Sequence, residues 1–152
     1  MKLRVLWIGK TRDSSLARLI SEYESRINHF LPLEIVEVRD PRLNESRRQE
    51  AEGEKLLNAI DSSDRVILLD SRGKTWTSDQ FANFVARHMR DDPRRLTFVI
   101  GGFSGVSESV KKRADLTWSL SPLTFTHDLC RVLILEQIYR ALAIIHKHPY
   151  AK

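Results

Sequence analysis

Short strand-like segments alternate with helical segments along the whole chain, and this alternation constrains the fold more than any other feature. Apolar segments at residues 3–8, 33–38, 65–69, 96–100 and 117–120 predict strands. The stretches between them mostly carry helical spacing of apolar residues. Strands that alternate with helices are typical of an α/β fold with a mostly parallel sheet flanked by helices.

Capping residues indicate where the helices begin. We predict helices over residues 14–30 and 44–60, with Asn44 as an N-cap of the second. Ser78 caps a further helix, Ser107 starts a short one, and Thr126 caps a last helix that runs to about residue 146. The segment DSRGK, residues 70–74, predicts a turn after the third strand.

A ligand pocket is expected where the strands end. Ligands of parallel sheets bind beyond the carboxyl ends of the strands. Those ends are Ile8-Gly9, Leu69-Asp70, Ile100-Gly101 and Leu120-Ser121. The glycine turn GGFSG, residues 101–105, matches neither the dinucleotide fingerprint nor the P-loop. It lets a ligand approach the backbone closely, although a plain loop is the alternative.

The last helix is apolar around most of its circumference. A helix of this kind needs burial on more than one side. One sheet face covers one side only, so the pattern favours a partner subunit, and a central helix within a monomer is the alternative. The apolar positions are Leu129, Val132, Leu133, Ile134, Leu135, Ile138, Leu142, Ile144 and Ile145.

Length and charge narrow the class of protein. The 152 residues predict a single domain spanning the chain. A formal net charge of +5 makes polyanions plausible partners. An ordinary solvated basic surface explains the same charge equally well.

Cysteine usage and hydropathy point to a cytoplasmic protein. Cys130 is the only cysteine, which excludes an intrachain disulfide and fits a reducing compartment. Its apolar helical setting predicts a buried thiol that is not a nucleophile. We find no signal pattern and no run long enough to cross a membrane. The five histidines show no metal-binding pattern, so we expect no metal.

Two pairs of polar residues share faces of the last helix. His127 and Arg131 are four residues apart, and so are Glu136 and Arg140. Capping and helix salt bridges explain such pairs without any function. Because much of this helix should be buried, its charged groups need either a partner or a task.

Taken together, four motifs in this order resemble one known family. They are LLDSRGK, FVIGGFSG, WSLSPLTFTHDLCRVLILEQIYRA and the terminal HPY. The chain resembles the ribosomal RNA large-subunit methyltransferase H family of the SPOUT superfamily over essentially its whole length. The block at residues 120–141 is the most specific part of this resemblance.

The resemblance implies an α/β fold with a C-terminal trefoil knot, which the general rule against knots would not suggest. It also implies a homodimer that uses S-adenosyl-L-methionine to methylate N3 of a pseudouridine in the large-subunit ribosomal RNA of the assembled ribosome. The cofactor pocket would then be lined by Leu69, Gly101, Gly102, Leu120, Ser121, Pro122, Leu123, Thr124, Phe125 and Thr126.

The methyl transfer asks for orientation of the partners and for removal of the N3 proton. The candidate catalytic residues are His127, Arg131, Glu136, Arg140 and Tyr150. We assign Arg140 and Tyr150 to nucleotide placement and His127 to the base or a phosphate. The identity of the general base stays open.

The chain departs from the family pattern at three positions. Ala151 follows Pro149-Tyr150 where the family usually has histidine. His146, His148 or His127 are candidates to substitute for it. Ser71 replaces the usual glutamate of the first motif, and Phe103 stands where the family often has proline.

Two further functions remain as alternatives. A non-catalytic module that binds the ribosome or RNA would retain the scaffold, and Ala151 is the best argument for it. A small-molecule α/β enzyme would leave the basic surface unexplained.

Overall fold

The computed structural model describes residues 1–102 and 105–151. Five strands form one sheet in the order β2-β1-β4-β3-β5, and every neighbouring pair is parallel. The predicted α/β class is therefore confirmed, whereas the trefoil knot stays a prediction. The strands are β1 (Leu3–Ile8), β2 (Leu33–Val38), β3 (Arg65–Thr75), β4 (Leu96–Ile100) and β5 (Leu116–Ser119).

Helices cover both faces of this sheet because successive side chains of each strand point to opposite sides. In β1, Val5 and Trp7 join the larger core, and Leu6 and Ile8 join the smaller one. The larger core lies under the first, third and fifth helices, and the smaller under the second and fourth. The helices are α1 (Ser14–Asn28), α2 (Glu45–Ala59), α3 (Ser78–Asp91), α4 (Glu108–Arg113) and α5 (His127–Ile145), followed by a 3-10 turn (Pro149–Ala151).

The third strand is longer than predicted. Residues 70–74 do not form a simple turn, because β3 continues to Thr75 after a register shift between Leu69 and Lys74. Thr75 pairs with Ser119 of β5. Gly73 allows the two strands to approach, since a Cβ there would lie 2.7 Å from the backbone carbonyl of Thr117.

Of the predicted caps, the one at Ser78 is wrong, and the one at Asn44 is correct in position. Thr77, and not Ser78, caps α3, and it forms a capping box with Gln80. Asn44 occupies the cap position of α2 but makes no side-chain cap bond. The caps at Ser107 and Thr126 are confirmed.

The last helix packs within its own chain on more than one side. It lies against the sheet core and between α1 and α3. This coverage accounts for most of its apolar circumference, so apolarity alone does not require a partner subunit. Leu129 nevertheless remains 37% exposed, and Leu133 is half-buried. Among the described residues, no helix is long and apolar enough to cross a membrane.

Candidate functional site

A cavity of approximately 430 Å³ opens at the carboxyl edge of the sheet. It lies beside the register shift in the middle of β3, at the end of β4, and under the loop between β5 and α5. Eight of the ten residues predicted to hold a cofactor line it, which are Leu69, Gly101, Gly102, Leu120, Ser121, Leu123, Thr124 and Phe125.

The other two predicted cofactor residues lie elsewhere. Pro122 is exposed and does not line the cavity. The Thr126 hydroxyl accepts a hydrogen bond from the backbone N–H of Leu129 at 3.3 Å, and Thr126 lines a neighbouring cleft instead. Phe103, which the sequence places in the glycine turn, lies outside the described residues.

Several lining residues are not among the ten predicted cofactor residues. Ile100 and Trp118 are two of them. Leu69 of β3 pairs with Ile100 of β4 on one side and with Trp118 of β5 on the other. Neighbours in register reach the same edge of a sheet, but the sequence did not show which strands are neighbours. The cavity is also lined by Asp70, Ser71, Arg72, Gly105, Val106, His127 and Cys130.

The glycine turn closes tightly beside the cavity. Gly105 donates its N–H to the carbonyl of Gly102 at 3.1 Å, and the two residues form an isolated antiparallel bridge. Gly105 has a φ of 85°, in the left-handed region that favours glycine. A methyl group on Gly102 would overlap the carboxylate of Glu52, so a side chain at this position would require Glu52 to move.

His127 lies at the first turn of α5 and lines the cavity. Burial lowers the pKa of its imidazole, the charge of Arg131 lowers it further, and a hydrogen bond with the backbone of Gly101 opposes both effects. A lowered pKa keeps the ring neutral at physiological pH. His127 is thus a neutral hydrogen-bonding group held against the glycine turn.

Arg131 acts as a structural tie between α5 and β1. Its side chain is 3% exposed and donates to the carbonyl of Ile8 at 2.6 Å and to the hydroxyl of Thr11 at 3.0 Å. Its guanidinium also lies 4.8 Å from the ring centre of Trp7. These hydrogen bonds hold α5 against β1, and Arg131 does not line the 430 Å³ cavity.

A second polar cluster surrounds Glu136. One oxygen of this carboxylate accepts hydrogen bonds from Arg140, at 2.7 Å, and from the Tyr150 hydroxyl, at 2.9 Å. The Tyr23 hydroxyl lies 3.2 Å from that of Tyr150. Burial raises the pKa of Tyr150, and the hydrogen bonds to Tyr23 and Glu136 raise it further. Tyr150 is therefore a protonated donor near neutral pH.

The candidate catalytic residues do not converge within one chain. His127 and Arg140 lie on the same helix, 13 residues apart. A rise of ~1.5 Å per residue separates them by about 20 Å along the axis. The cluster of Glu136, Arg140 and Tyr150 therefore cannot reach the cavity of its own chain, which His127 lines.

Cys130 lines the cavity without the character of a nucleophile. Burial raises the pKa of its thiol to about 11. A thiol with such a pKa is almost fully protonated at neutral pH and reacts slowly. Within residues 1–102 and 105–151, no group of three or more His, Cys, Asp or Glu side chains could hold a metal ion.

Fold and site define a parallel α/β protein with a ligand cavity built from the loops that follow its last strands. A family model described as a predicted SPOUT methyltransferase matches residues 1–151. The chain belongs to the SPOUT methyltransferase family.

Three relatives are similar over nearly the full length. Proteins named ribosomal RNA large subunit methyltransferase H are 44% identical in Geobacter sulfurreducens, 42% in Trichlorobacter lovleyi and 40% in Parabacteroides distasonis. Each match covers 99% of this chain and 98% or 99% of the relative.

Proposed function

We propose that this protein transfers a methyl group from S-adenosyl-L-methionine to N3 of a pseudouridine in large-subunit ribosomal RNA, on the assembled ribosome. The observation that carries the proposal is the cavity at the sheet edge, which three loops predicted from the family resemblance build together. The net charge of +5 and the names of the full-length relatives support an RNA substrate and a cytoplasmic location.

The cavity residues fit the cofactor. A volume of approximately 430 Å³ is within the range of small-molecule sites. Leu69, Leu123 and Phe125 offer apolar walls for an adenine ring. The indole N–H of Trp118 is buried and has no acceptor within the described residues, so it suits a polar ligand atom. When bound, S-adenosyl-L-methionine supplies a methyl group already activated for transfer.

The chain's own residues then have to place the nucleotide and manage its proton. Arg140 keeps a positive charge, because its hydrogen bonds to Glu136 raise its pKa. A fixed cation of this kind stabilises the anionic ring that forms when N3 loses its proton. Tyr150 donates its single proton to Glu136, so its hydroxyl oxygen can accept a hydrogen bond from the base. Neutral His127 lines the cavity and can accept a proton.

We infer that a second copy of the chain completes the active site. Along α5, Glu136 lies about 14 Å and Arg140 about 20 Å from His127. A homodimer that sets the tail of one protomer over the cavity of the other would bring both groups together. Leu129 and the 71% exposed Leu123 supply exposed apolar surface near this cavity for such a contact.

Calorimetry and methyl transfer test the proposal in order. We expect S-adenosyl-L-methionine to bind, and ribosomes lacking the modification to accept the methyl group. Arg140→Ala should abolish transfer while cofactor affinity and the dimer persist. If no binding heat is detected at millimolar cofactor, the proposed function is contradicted. If Arg140→Ala transfers methyl groups at the wild-type rate, the role of Arg140 is contradicted.

A non-catalytic RNA-binding module is the second candidate, and Ala151 favours it. Residue 151 lies in the 3-10 turn Pro149–Ala151. Because it is alanine, it offers no hydrogen-bonding side chain at this position. Restoring the residue usual in the family, by Ala151→His, tests this candidate. Transfer by the unmodified chain argues against it, whereas transfer only by Ala151→His would support it.

A further inference from the structure

A second cleft, of approximately 1070 Å³, adjoins the cofactor cavity. It lies beyond the ends of β1 and β2, and it shares Gly102 and His127 with the first cavity. Nothing in the proposed methyl transfer occupies it. A ligand that lies in this cleft would therefore reach the edge of the reaction site at the glycine turn.

The cleft presents cations that have no carboxylate partner. Lys10, Arg12, Arg39, Arg42 and Arg48 line it. Within the described part of the chain, none of the five forms an ion pair within 4.0 Å, in contrast to the many paired arginines elsewhere. Four of them are exposed, and Arg48 is half-buried.

Three of the five carboxylates that line the cleft accept backbone hydrogen bonds. Asp13 caps α1, and Asp128 accepts from the backbone N–H groups of Arg12 and Asp13, both at 3.0 Å. Asp40 accepts from the backbone N–H of Arg42, whose φ of 56° is unusual for a residue with a side chain. The basic and acidic residues nearly balance in number, so the cleft is distinguished by its free donors and not by bulk charge.

Glu52 forms the inner end of the cleft. Glu52 is 3% exposed, and its Oε1 is buried and has no hydrogen-bond partner among residues 1–102 and 105–151. The carboxylate lies against Gly102, at the junction of the two cavities. A buried acceptor without a donor carries a desolvation cost that a ligand O–H or N–H would relieve. A phosphodiester group offers no such donor, whereas the ribose of a ribonucleotide offers its 2′-hydroxyl.

We propose that this cleft binds the sugar–phosphate backbone of single-stranded RNA next to the methylated nucleotide. Lys10, Arg39 and Arg42 contact phosphate oxygens, and Glu52 accepts a hydrogen bond from a ribose 2′-hydroxyl. Cations supply most of the affinity for such a ligand, and the 2′-hydroxyl separates RNA from DNA. This inference rests on the proposed function for its choice of substrate.

A salt titration with a matched charge control tests the cations. The probe is a fluorescent single-stranded RNA of about 12 nucleotides. The double variant Arg39→Gln with Arg42→Gln should weaken RNA binding about tenfold. It should also reduce the steepness of log affinity plotted against log salt concentration by about 1.4, because each lost contact with a single-strand phosphate contributes ~0.7. Arg87→Gln with Arg90→Gln removes the same charge from α3 and should change the slope little.

A comparison of RNA with DNA of the same sequence tests Glu52. Glu52→Gln removes the negative charge and keeps an acceptor oxygen, whereas Glu52→Leu removes both. A purely electrostatic effect would strengthen the binding of both probes equally in the two variants. The proposal instead expects the wild-type preference for RNA to fall by several-fold in Glu52→Leu and by less in Glu52→Gln. An unchanged ratio of RNA to DNA affinity in Glu52→Leu overturns the role of Glu52.

Three outcomes overturn the cleft as an RNA site. The first is no RNA binding by the wild type at low salt. The second is an equal loss of RNA affinity in the cleft variant and the control variant. The third is displacement of the RNA by polyglutamate when the two polymers carry equal concentrations of negative charge. Calorimetry with S-adenosyl-L-methionine on every variant keeps the two proposals apart. Normal cofactor binding with no effect of the cleft variants refutes the cleft alone, and absent cofactor binding refutes the proposed function alone.

Discussion

Glu52 is a single carboxyl group whose environment opposes its charge. Burial raises its pKa, the nearby charge of Asp40 raises it further, and Arg48 offsets part of the effect. A carboxyl group with these properties lowers the stability of the fold at neutral pH. Its presence beside the glycine turn fits the pattern in which a functional site retains a locally unfavourable group.

We predict that Glu52→Gln is more stable than the wild type at pH 7. Because the folded-state pKa is raised, the folded protein binds the proton more tightly than the unfolded chain does. The wild type therefore loses stability as pH rises from 4.5 through the folded-state pKa, and the isosteric amide does not. In thermal unfolding between pH 4 and 7, the Tm of Glu52→Gln should exceed that of the wild type at pH 7, and this difference should shrink as the pH is lowered. A constant difference, or a wild type more stable at pH 7, would contradict the prediction.

Caps and strand contacts decide how the elements that frame the cavity are held. The capping box of Thr77 and Gln80 fixes the start of α3, directly after the long strand β3. Gly73 in the same strand permits its second pairing with β5. Both features therefore act on the sheet edge that carries Leu69 and Trp118.

Thr77→Ala should destabilise the fold by about 1 kcal/mol, because the first turn of α3 loses a hydrogen bond to its backbone N–H. This change corresponds to a fall in Tm of about 2–4 °C for a chain of this length. Asn44→Ala is the matched control, since Asn44 occupies a cap position without forming the bond. Equal losses in the two variants would show that the capping bond contributes nothing.

Gly73→Ala should cost about 1–3 kcal/mol, typical of a side chain forced into filled space. The added Cβ would lie 2.7 Å from the Thr117 backbone, which cannot rotate away as a side chain could. Urea unfolding measures the loss, and Ser71→Ala in an exposed part of the same strand provides the comparison. Gly73→Ala with wild-type stability would mean that β3 and β5 separate without cost.

At the scale of the whole molecule, the separation of the two polar groups along α5 is the reason why the proposed function includes assembly. The cavity lies at the amino end of that helix and the Glu136 cluster near its carboxyl end. In the proposal, a contact between two copies joins them. Leu129, on the side of α5 that its own chain leaves uncovered, is the residue best placed to report on that contact.

We predict a dimer of about 35 kDa, twice the chain mass of 17.6 kDa. Leu129→Glu should yield monomers, because a charge buried in an apolar interface is unfavourable, and transfer activity should fall with the dimer fraction. Leu43→Glu is the control, since Leu43 is 39% exposed and Leu129 is 37% exposed. Light scattering gives the mass, and a wild type of 17.6 kDa would refute assembly.

The order of the elements and most of the cofactor pocket follow from the sequence. Local patterns of apolar residues determine where β1, β4 and α5 lie, because each pattern reports which face of its own element is buried. Cofactor-loop residues such as Gly101 and Leu120 were predictable, since glycine and turn residues come directly after strands. The strand extension to Thr75 was not predictable, because it depends on pairing with a distant strand.

The sequence by itself determined the fold class, the order of strands and helices, and the loops that line the cavity at the sheet edge. Tertiary structure alone decided that Arg131 ties α5 to β1 and that the cluster around Glu136 lies far from His127. It also decided that Glu52, one of several charged residues along α2, is the buried one. The reason is physical: a periodic pattern records the face that a residue occupies, whereas burial and pairing depend on which distant segment packs against that face.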